Sequence, residues 1–546
     1  MGYRCRRKIC GGYVPAAEGL QRITEYEKMR SEDMQGSIMW ILAAFAIYLI
    51  LMVVIGVVCA RKNENAEDYF LGGRKLSGAV AALSAQASDM SGWLLMGLPG
   101  SVYALGTGQA WIAIGLFIGT VCNWLFISRR LRRYTIRAGN ALTLPTYFEN
   151  RFHDRKRVLL FLSSVTIVVF FLVYTASALA AGGKLFNSVF GIEYKIALTI
   201  GAAVILIYTF MGGFLAVCTT DFVQGTLMLV GLLVVPLMAY GMINGNVSDV
   251  LDASAVAGGS AAYLSLMSNG GQPYGMMEII SQVAWGLGYC GMPHILVRFM
   301  AVRDEKELNK SKGIAIVWVA LSLAFACIIG VLGRAYLYPG LLTDGAEEKV
   351  FIEMIIKMFT VDYPVPIIGG LFLCGILAAI MSTADSQLLV SASSVAEDIF
   401  RGIVKKDADD KTVLRMSRIT VLVIAVLAYL IALNPNSSIM GLVSNAWAGL
   451  GAAFGPTVLL SLFWKRTNFQ GAVAGIVTGA LTVIVWDYIP LAGGQTLGSA
   501  TGLYSLAIGF ALSLLAIVAV SLATPAPSAE MLEEFEDVVN NRNIGA

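Results

Sequence analysis

The stretch SAQASDMSGWLLMGLPG (Ser84 to Gly100) places a carboxylate, Asp89, inside a run that otherwise reads as the interior of an apolar helix. Two helix-interrupting pairs follow it, Ser91-Gly92 and Pro99-Gly100. Breaking a helix in an apolar medium frees backbone carbonyls, each costing on the order of several kcal/mol unless a partner satisfies it. A hard cation is one such partner: sodium, like calcium and magnesium, favours oxygen ligands. The chemistry expected at Asp89 is cation and polar-solute binding, with the carboxylate supplying local negative charge. Capping of a half-helix, or pairing with an interior arginine, is the alternative.

Two further stretches complement it. In ILAAIMSTADSQLLVSASS (Ile376 to Ser394), Ala379, Ser382, Thr383 and Ser386 follow i, i+3, i+4, i+7 spacing and share one helix face. Two hydroxyls and a carbonyl from that face could meet the carbonyls of Ala87 and Met90 at the break, which would put five oxygens around one sodium. Small residues on that face would equally permit close helix packing. The segment WGLGYCGMPHIL (Trp285 to Leu296) carries breakers of its own: Gly286, Gly288, Gly291 and Pro293.

The elements that must hold these residues are membrane helices. The chain has 546 residues, 57% hydrophobic and only 14% charged, too few charges for the surface of a soluble protein of this size. Apolar runs long enough to cross ~30 Å of hydrocarbon number about thirteen. They lie near 38–60, 78–104, 109–128, 158–188, 196–212, 221–243, 274–298, 314–336, 366–397, 417–433, 438–463, 470–490 and 503–522. The fold class is therefore all-α and polytopic, with membrane lipid as its surroundings and no nucleic-acid partner.

Lys and Arg alternate sharply between loops: four in 61–77, nine in 129–157, five in 298–312 and six in 401–418, against none in 103–109, 244–273, 434–437 and 490–502. Positive charge favours the cytoplasmic side, which puts the N-terminus outside and the tail 524–546 in the cytoplasm. Residues 1–33 contradict that rule with seven Lys or Arg. They read as an extension without a transport role ahead of a natural start at Met34, and not as a signal peptide. Residues 34–523 then form one transporter domain. Within it, spans two to six (78–243) and seven to eleven (274–463) are two blocks of five. Five is odd, so the second block enters from the opposite face. This is the inverted-repeat logic of secondary transporters, in which the first helix of each block is broken near the midplane.

Other classes are excluded on composition. Eight scattered cysteines without CxxC pairing and two distant histidines, His153 and His294, offer neither a disulfide framework nor a metal site. No nucleophile–base set appears, and GGRK in 72–75 lacks phosphate-loop spacing, so no enzymatic activity is expected. The tail is too short for a signalling domain.

At these residues the chain resembles the solute:sodium symporter family, over nearly everything from Met34 to the tail. The resemblance is carried by DYFLGGRKL (68–76), ALSAQASDMSGWLLMGLPG (82–100), NALTLPTYFENRF (140–152), GGFLAVCTTDFVQ (212–224), 285–296, AAIMSTADSQLL (378–389) and GLVSNAWAGLGAAFGP (441–456). It implies a leucine-transporter-like 5+5 core with one helix before and two after, in a bacterial cell (plasma) membrane. Carried over by position, it implies sodium ligands at Ala87, Met90, Ala379, Ser382 and Thr383 and an essential carboxylate at Asp89. The family's proline branch implies substrate contacts at Ser91, Gly92, Trp93, Tyr174, Trp285, Tyr289 and Pro293. An aromatic box suits a pyrrolidine ring, and a half-helix N-terminus suits its carboxylate. The implied function is sodium-coupled uptake of L-proline by alternating access, with sodium co-transported. A symporter for another small carboxylate solute and a transporter-derived sensor are the alternatives. Two positions depart from the pattern. Gln109 stands where an acid is expected. Asp385 stands where a small or apolar residue is usual, and with Asp221 and Ser386 it could build a second sodium site; CTTD (218–221) also reads as a helix N-cap.

Overall fold

Each of the thirteen apolar runs is mainly helical over its described residues, two of them with a break inside. The computed structural model describes residues 16–60, 66–209, 213–243, 245–343, 345–491 and 494–542, with backbone alone for 16–35. Ten helices are long and apolar enough to cross a membrane as they stand. The remaining three expected spans are the two that break, near 90 and 292, and the shorter helix Tyr194–Thr209. Among the described residues, strand is confined to a hairpin of two-residue strands, Ser268–Asn269 with Gln272–Pro273, in the loop before the second break. Residues 1–15 of the expected extension lie outside the described residues, while 16–33 continue without interruption into the first span as one helix, Ala16–Ala60.

Polar residues mark many helix starts. Thr143, Asp304, Ser438, Asn468 and Ser528 each accept a first-turn N–H through the side chain, satisfying donors that no intrahelical carbonyl can reach. Asp221 is not such a cap. Its helix begins at Phe214, behind Gly213 at φ +46°, so Asp221 lies two turns inside and must be satisfied by tertiary partners.

Burial sorts the helices into centre and periphery. Pro366–Val404 and Ile439–Phe463 are 83% buried over their most apolar stretch, against 33% for the first span, Asp410–Ala432, Phe469–Tyr488 and Ser505–Ala523. The peripheral helices turn side chains such as Ile47, Ile50, Leu430 and Leu515 outward; facing lipid, such side chains incur no hydrophobic penalty. The hydroxyl-bearing helix Pro366–Ser393 thus stands at the centre. It packs against the half-helix Gly78–Asp89, Phe214–Met242 and Val158–Phe190.

Candidate functional site

The first break follows Asp89. Helix Gly78–Asp89 ends there, Met90 leaves helical geometry at φ −86°, ψ 79°, and the chain resumes at Trp93. Ser91 stabilises the restart: its Oγ accepts the N–H of Trp93 at 3.3 Å. Gly92 is required by packing, since a Cβ there would lie 2.7 Å from the Cβ of Ala181.

The central helix meets this break with its hydroxyls. Ser382 Oγ donates to the carbonyl of Ala87 at 2.7 Å and lies 3.2 Å from the carbonyl of Ala379; Thr383 Oγ1 reaches the Ala87 carbonyl at 3.4 Å. Four of the five residues expected at the sodium site therefore converge, and all five are fully buried. The fifth, Met90, contacts Ser322 Oγ through its sulfur at 3.4 Å. A buried cluster of two carbonyls and two hydroxyls is a hard-ion environment because the groups it presents are oxygens.

Asp89 joins the two breaks. Its Oδ2 accepts the Tyr289 hydroxyl at 2.5 Å, and its backbone carbonyl accepts the Trp93 indole N–H at 2.9 Å and the Tyr174 hydroxyl at 3.5 Å. Oδ1 is buried with no hydrogen-bond partner among the described residues. Neither a cap nor an arginine occupies this carboxylate.

The second break lies at Met292, between the tight turns of Ala284–Gly291 and the helix Pro293–Ala301. Its outer arm is held backbone to backbone. A Cβ on Gly286 would lie 2.1 Å from the carbonyl of Gly115, and one on Gly288 would lie 2.0 Å from the indole nitrogen of Trp447. That indole donates to the Trp285 carbonyl at 2.8 Å, and Asn123 donates to the Tyr289 carbonyl at 3.1 Å. These bonds satisfy carbonyls that the uncoiled backbone frees.

The residues expected at the substrate site separate into three levels. Asp89, Ser91, Gly92, Trp93, Tyr174 and Tyr289 sit together between the breaks. Trp285 lies on one side of them, stacked on Tyr504 at 5.2 Å, and lines a cavity of about 400 Å³. Pro293 lies on the opposite side and lines a much smaller cavity. The large cavity also takes in Asn445, Asp487 and Ser505 from the last three spans, residues that sequence reasoning missed. Trp447, missed likewise, lies in the quoted segment 441–456. Gln109 lines the same cavity and donates to Asn269 and Tyr274.

Below the break lies a buried ion pair. Arg298, counted above among the charges of an inner loop, is 1% exposed; its Nη2 lies 3.2 Å from Asp221 Oδ2 and 2.6 Å from Ser386 Oγ. Ser84 and Ser88 also donate to Asp221, at 2.7 and 3.0 Å. Of the residues expected at a second sodium site, Asp221 and Ser386 thus share the arginine's network, whereas Asp385 accepts the hydroxyl of Thr209. Among the described residues no cluster of His, Cys, Asp or Glu is arranged to hold a metal.

Known proteins match this architecture. The family model for the sodium:solute symporter family matches residues 69–479. The chain belongs to that family. Among curated relatives of the family, a high-affinity proline transporter of Bacillus subtilis is 44% identical over 89% of this chain and 98% of its own, and the sodium/proline symporter of Escherichia coli is 43% identical over 91% and 95%. A solved sodium-coupled sialic acid symporter superposes with a TM-score of 0.72 at 21% identity, over 90% of this chain and 98% of its own. That likeness gives the fold, the leucine-transporter-like inverted repeat that the family resemblance implied.

Proposed function

We propose that this protein couples the inward flow of sodium to the uptake of L-proline by alternating access. The observation that carries the reading is the convergence of Ser382 and Thr383 on the carbonyl of Ala87 at the helix break. The names of the relatives, proline transporter and sodium/proline symporter, support the choice of substrate and ion. In this reading sodium is held by the carbonyls of Ala87, Met90 and Ala379 with the hydroxyls of Ser382 and Thr383. Asp89 supplies the negative charge that favours the ion. Proline lies beside it among Ser91, Gly92, Trp93, Tyr174, Tyr289 and Trp285, with Pro293 on the path below. The cavity at Trp285 opens to the outside, the tail is cytoplasmic, and the membrane is the bacterial inner membrane.

One sodium per cycle suffices energetically. A tenfold gradient supplies ~1.4 kcal/mol and one charge crossing 100 mV ~2.3 kcal/mol, enough together to concentrate proline roughly 500-fold. Shared residues make the coupling: the backbone of Asp89 takes part in the aromatic box while its neighbours Ala87 and Met90 face the ion. Each ligand then raises the other's affinity by the same factor. Competition among amino acids for sodium-driven uptake into proteoliposomes tests the reading. Proline should displace labelled proline at the lowest concentration and only with sodium present; equal displacement by unrelated amino acids, or uptake indifferent to sodium, would overturn it.

A further inference from the structure

The helix Ala529–Asn540 follows the last span and is amphipathic. Met531, Phe535 and Val538, at i, i+4, i+7, form one buried face, with Val538 only 1% exposed. Four of its five acidic side chains, Glu530, Glu534, Glu536 and Asp537, meet bases on other elements. Asp537 Oδ2 lies 3.1 Å from Arg137 Nε and Glu534 Oε1 3.7 Å from Arg137 Nη1; Glu534 also lies 3.2 Å from His153 Nε2, and Glu536 lies 3.6 Å from Lys465. The guanidinium of Arg151 stands 5.7 Å from the centre of the Phe535 ring.

These partners are the inner ends of different elements. Arg137 closes the helix Ser128–Arg137, the inner continuation of the third span; Arg151 and His153 stand at the end of the short loop helix Leu144–Arg151; Lys465 follows Ile439–Phe463. The far end of the loop helix is clamped as well. Thr143 and Thr146 donate to Asp398 Oδ1 at 2.7 and 2.9 Å. At the Asp398 end, Leu142 to Pro145 wall the small cavity together with Phe214, Pro293 and Ser393. The loop helix is thus a plug over the small cavity on the Pro293 side, held at one end by Asp398 and at the other by the C-terminal helix.

We propose that the C-terminal helix is a latch that positions this plug: Asp537 and Glu534, acting through Arg137 and His153, hold the loop helix shut over the inner cavity and set how often the cavity opens to the cytoplasm. The inference rests on the orientation and the alternating-access reading given above. The bases of these pairs, Arg137 and His153, are each 28% exposed, and ion pairs open to water on one side are individually weak and are screened by salt. A latch made of them holds without trapping, which suits an element that must release once in each transport cycle. The apolar face keeps the helix tethered nearby and in register for relatching.

The test uses the full chain in sealed vesicles, with Ser393→Cys as reporter, a membrane-impermeant maleimide as probe and the parent protein as blank. Asp537→Arg, which sets a cation against Arg137, should raise the labelling rate of Ser393→Cys several-fold from the cytoplasmic face. It should also raise the proline KM measured from outside more than it changes kcat, because fewer molecules wait outward-facing. Adding Arg137→Glu restores the pair with its charges exchanged and should return both readouts towards the parent. The milder Glu534→Gln should move labelling in the same direction by about twofold and serves if the reversal lowers expression. Labelling unchanged in both variants, or a charge exchange that fails to restore it at normal protein level, would overturn the latch. Asn540→Cys monitors the sidedness independently: labelling from the outer face would refute the orientation while the Ser393→Cys comparison still judges the latch on whichever face it opens.

Discussion

The two helix breaks solve the same problem by opposite means. At Asp89 the uncoiled backbone is left facing hydroxyls, an indole and a phenol, with a carboxylate oxygen that has no partner among the described residues. At Met292 the freed carbonyls are taken by Trp447 and Asn123, and glycines let whole backbones touch. The first break is chemically unsaturated and the second is sterically complete. The difference teaches a division of labour: the first break keeps unspent polar groups facing one another across the gap, whereas the second presents a fixed wall beside them. Tyr289, projecting from the wall to Asp89, is where the two meet.

The largest expected effect comes from removing the charge at the unsaturated break. Asp89→Asn keeps shape and the Tyr289 contact but loses the carboxylate, and unpairing a buried charge partner costs ~3–5 kcal/mol. Sodium-driven proline uptake at limiting sodium should fall by about two to four orders of magnitude at normal membrane insertion; uptake with unaltered sodium dependence would show that the charge is not part of the ion site.

A smaller loss is expected at the hydroxyl face. Thr383→Val removes one oxygen at nearly constant volume, and a lost bond to a charged group costs ~1.5–3 kcal/mol, or roughly 10- to 150-fold in apparent sodium affinity. Thr383→Ser should stay close to the parent. Proline affinity should recover in Thr383→Val as sodium is raised; impairment that persists at saturating sodium would move Thr383 from the ion to the substrate.

The wall should respond in stability and not in sodium dependence. A methyl at Gly288 would press on the Trp447 indole at 2.0 Å, and overpacking of this kind costs typically ~1–3 kcal/mol. Gly288→Ala should lower the unfolding temperature of the purified protein while the fraction that folds keeps the parent's sodium affinity. Gly313→Ala, where an added Cβ meets nothing within 4 Å, should leave the unfolding temperature unchanged or raise it slightly. A sodium affinity that tracks Gly288→Ala would erase the distinction between the two breaks.

Both breaks and the hydroxyl face were legible in the sequence because each is a local pattern: glycine, proline and serine within a few positions, or hydroxyls at helical spacing. What joins them was not. The Tyr289–Asp89 bond spans 200 residues, and no local pattern selects a partner at that distance. Arg298 shows the same limit from the other side. Charge counting reads residue type and position along the chain, so it assigned to a loop a guanidinium that the fold draws inward to Asp221. Asp221 itself read as a cap because TTD resembles one, yet its helix begins seven residues earlier, at a glycine whose positive φ only tertiary context reveals. The large cavity escaped because its walls come from the final spans as well as the repeats, and its polar residues are too scattered to form a motif.

The Asp221–Arg298 pair also has a consequence for how the protein is made. The two charges are 77 residues apart, so the carboxylate is synthesised and delivered to the bilayer first. At ~5–20 residues per second its counter-ion arrives roughly 4–15 s later. During that interval the sixth span holds a charge or a proton that would cost ~2.5–3.5 kcal/mol at a helix centre. The serines at 84 and 88, already inserted with the second span, are the partners available to it meanwhile. The first repeat is thereby provided with a provisional polar core that waits for the second to emerge. The order in which the chain emerges thus gives Asp221 its serine partners before its arginine, in a cluster that finally lies beneath the first break.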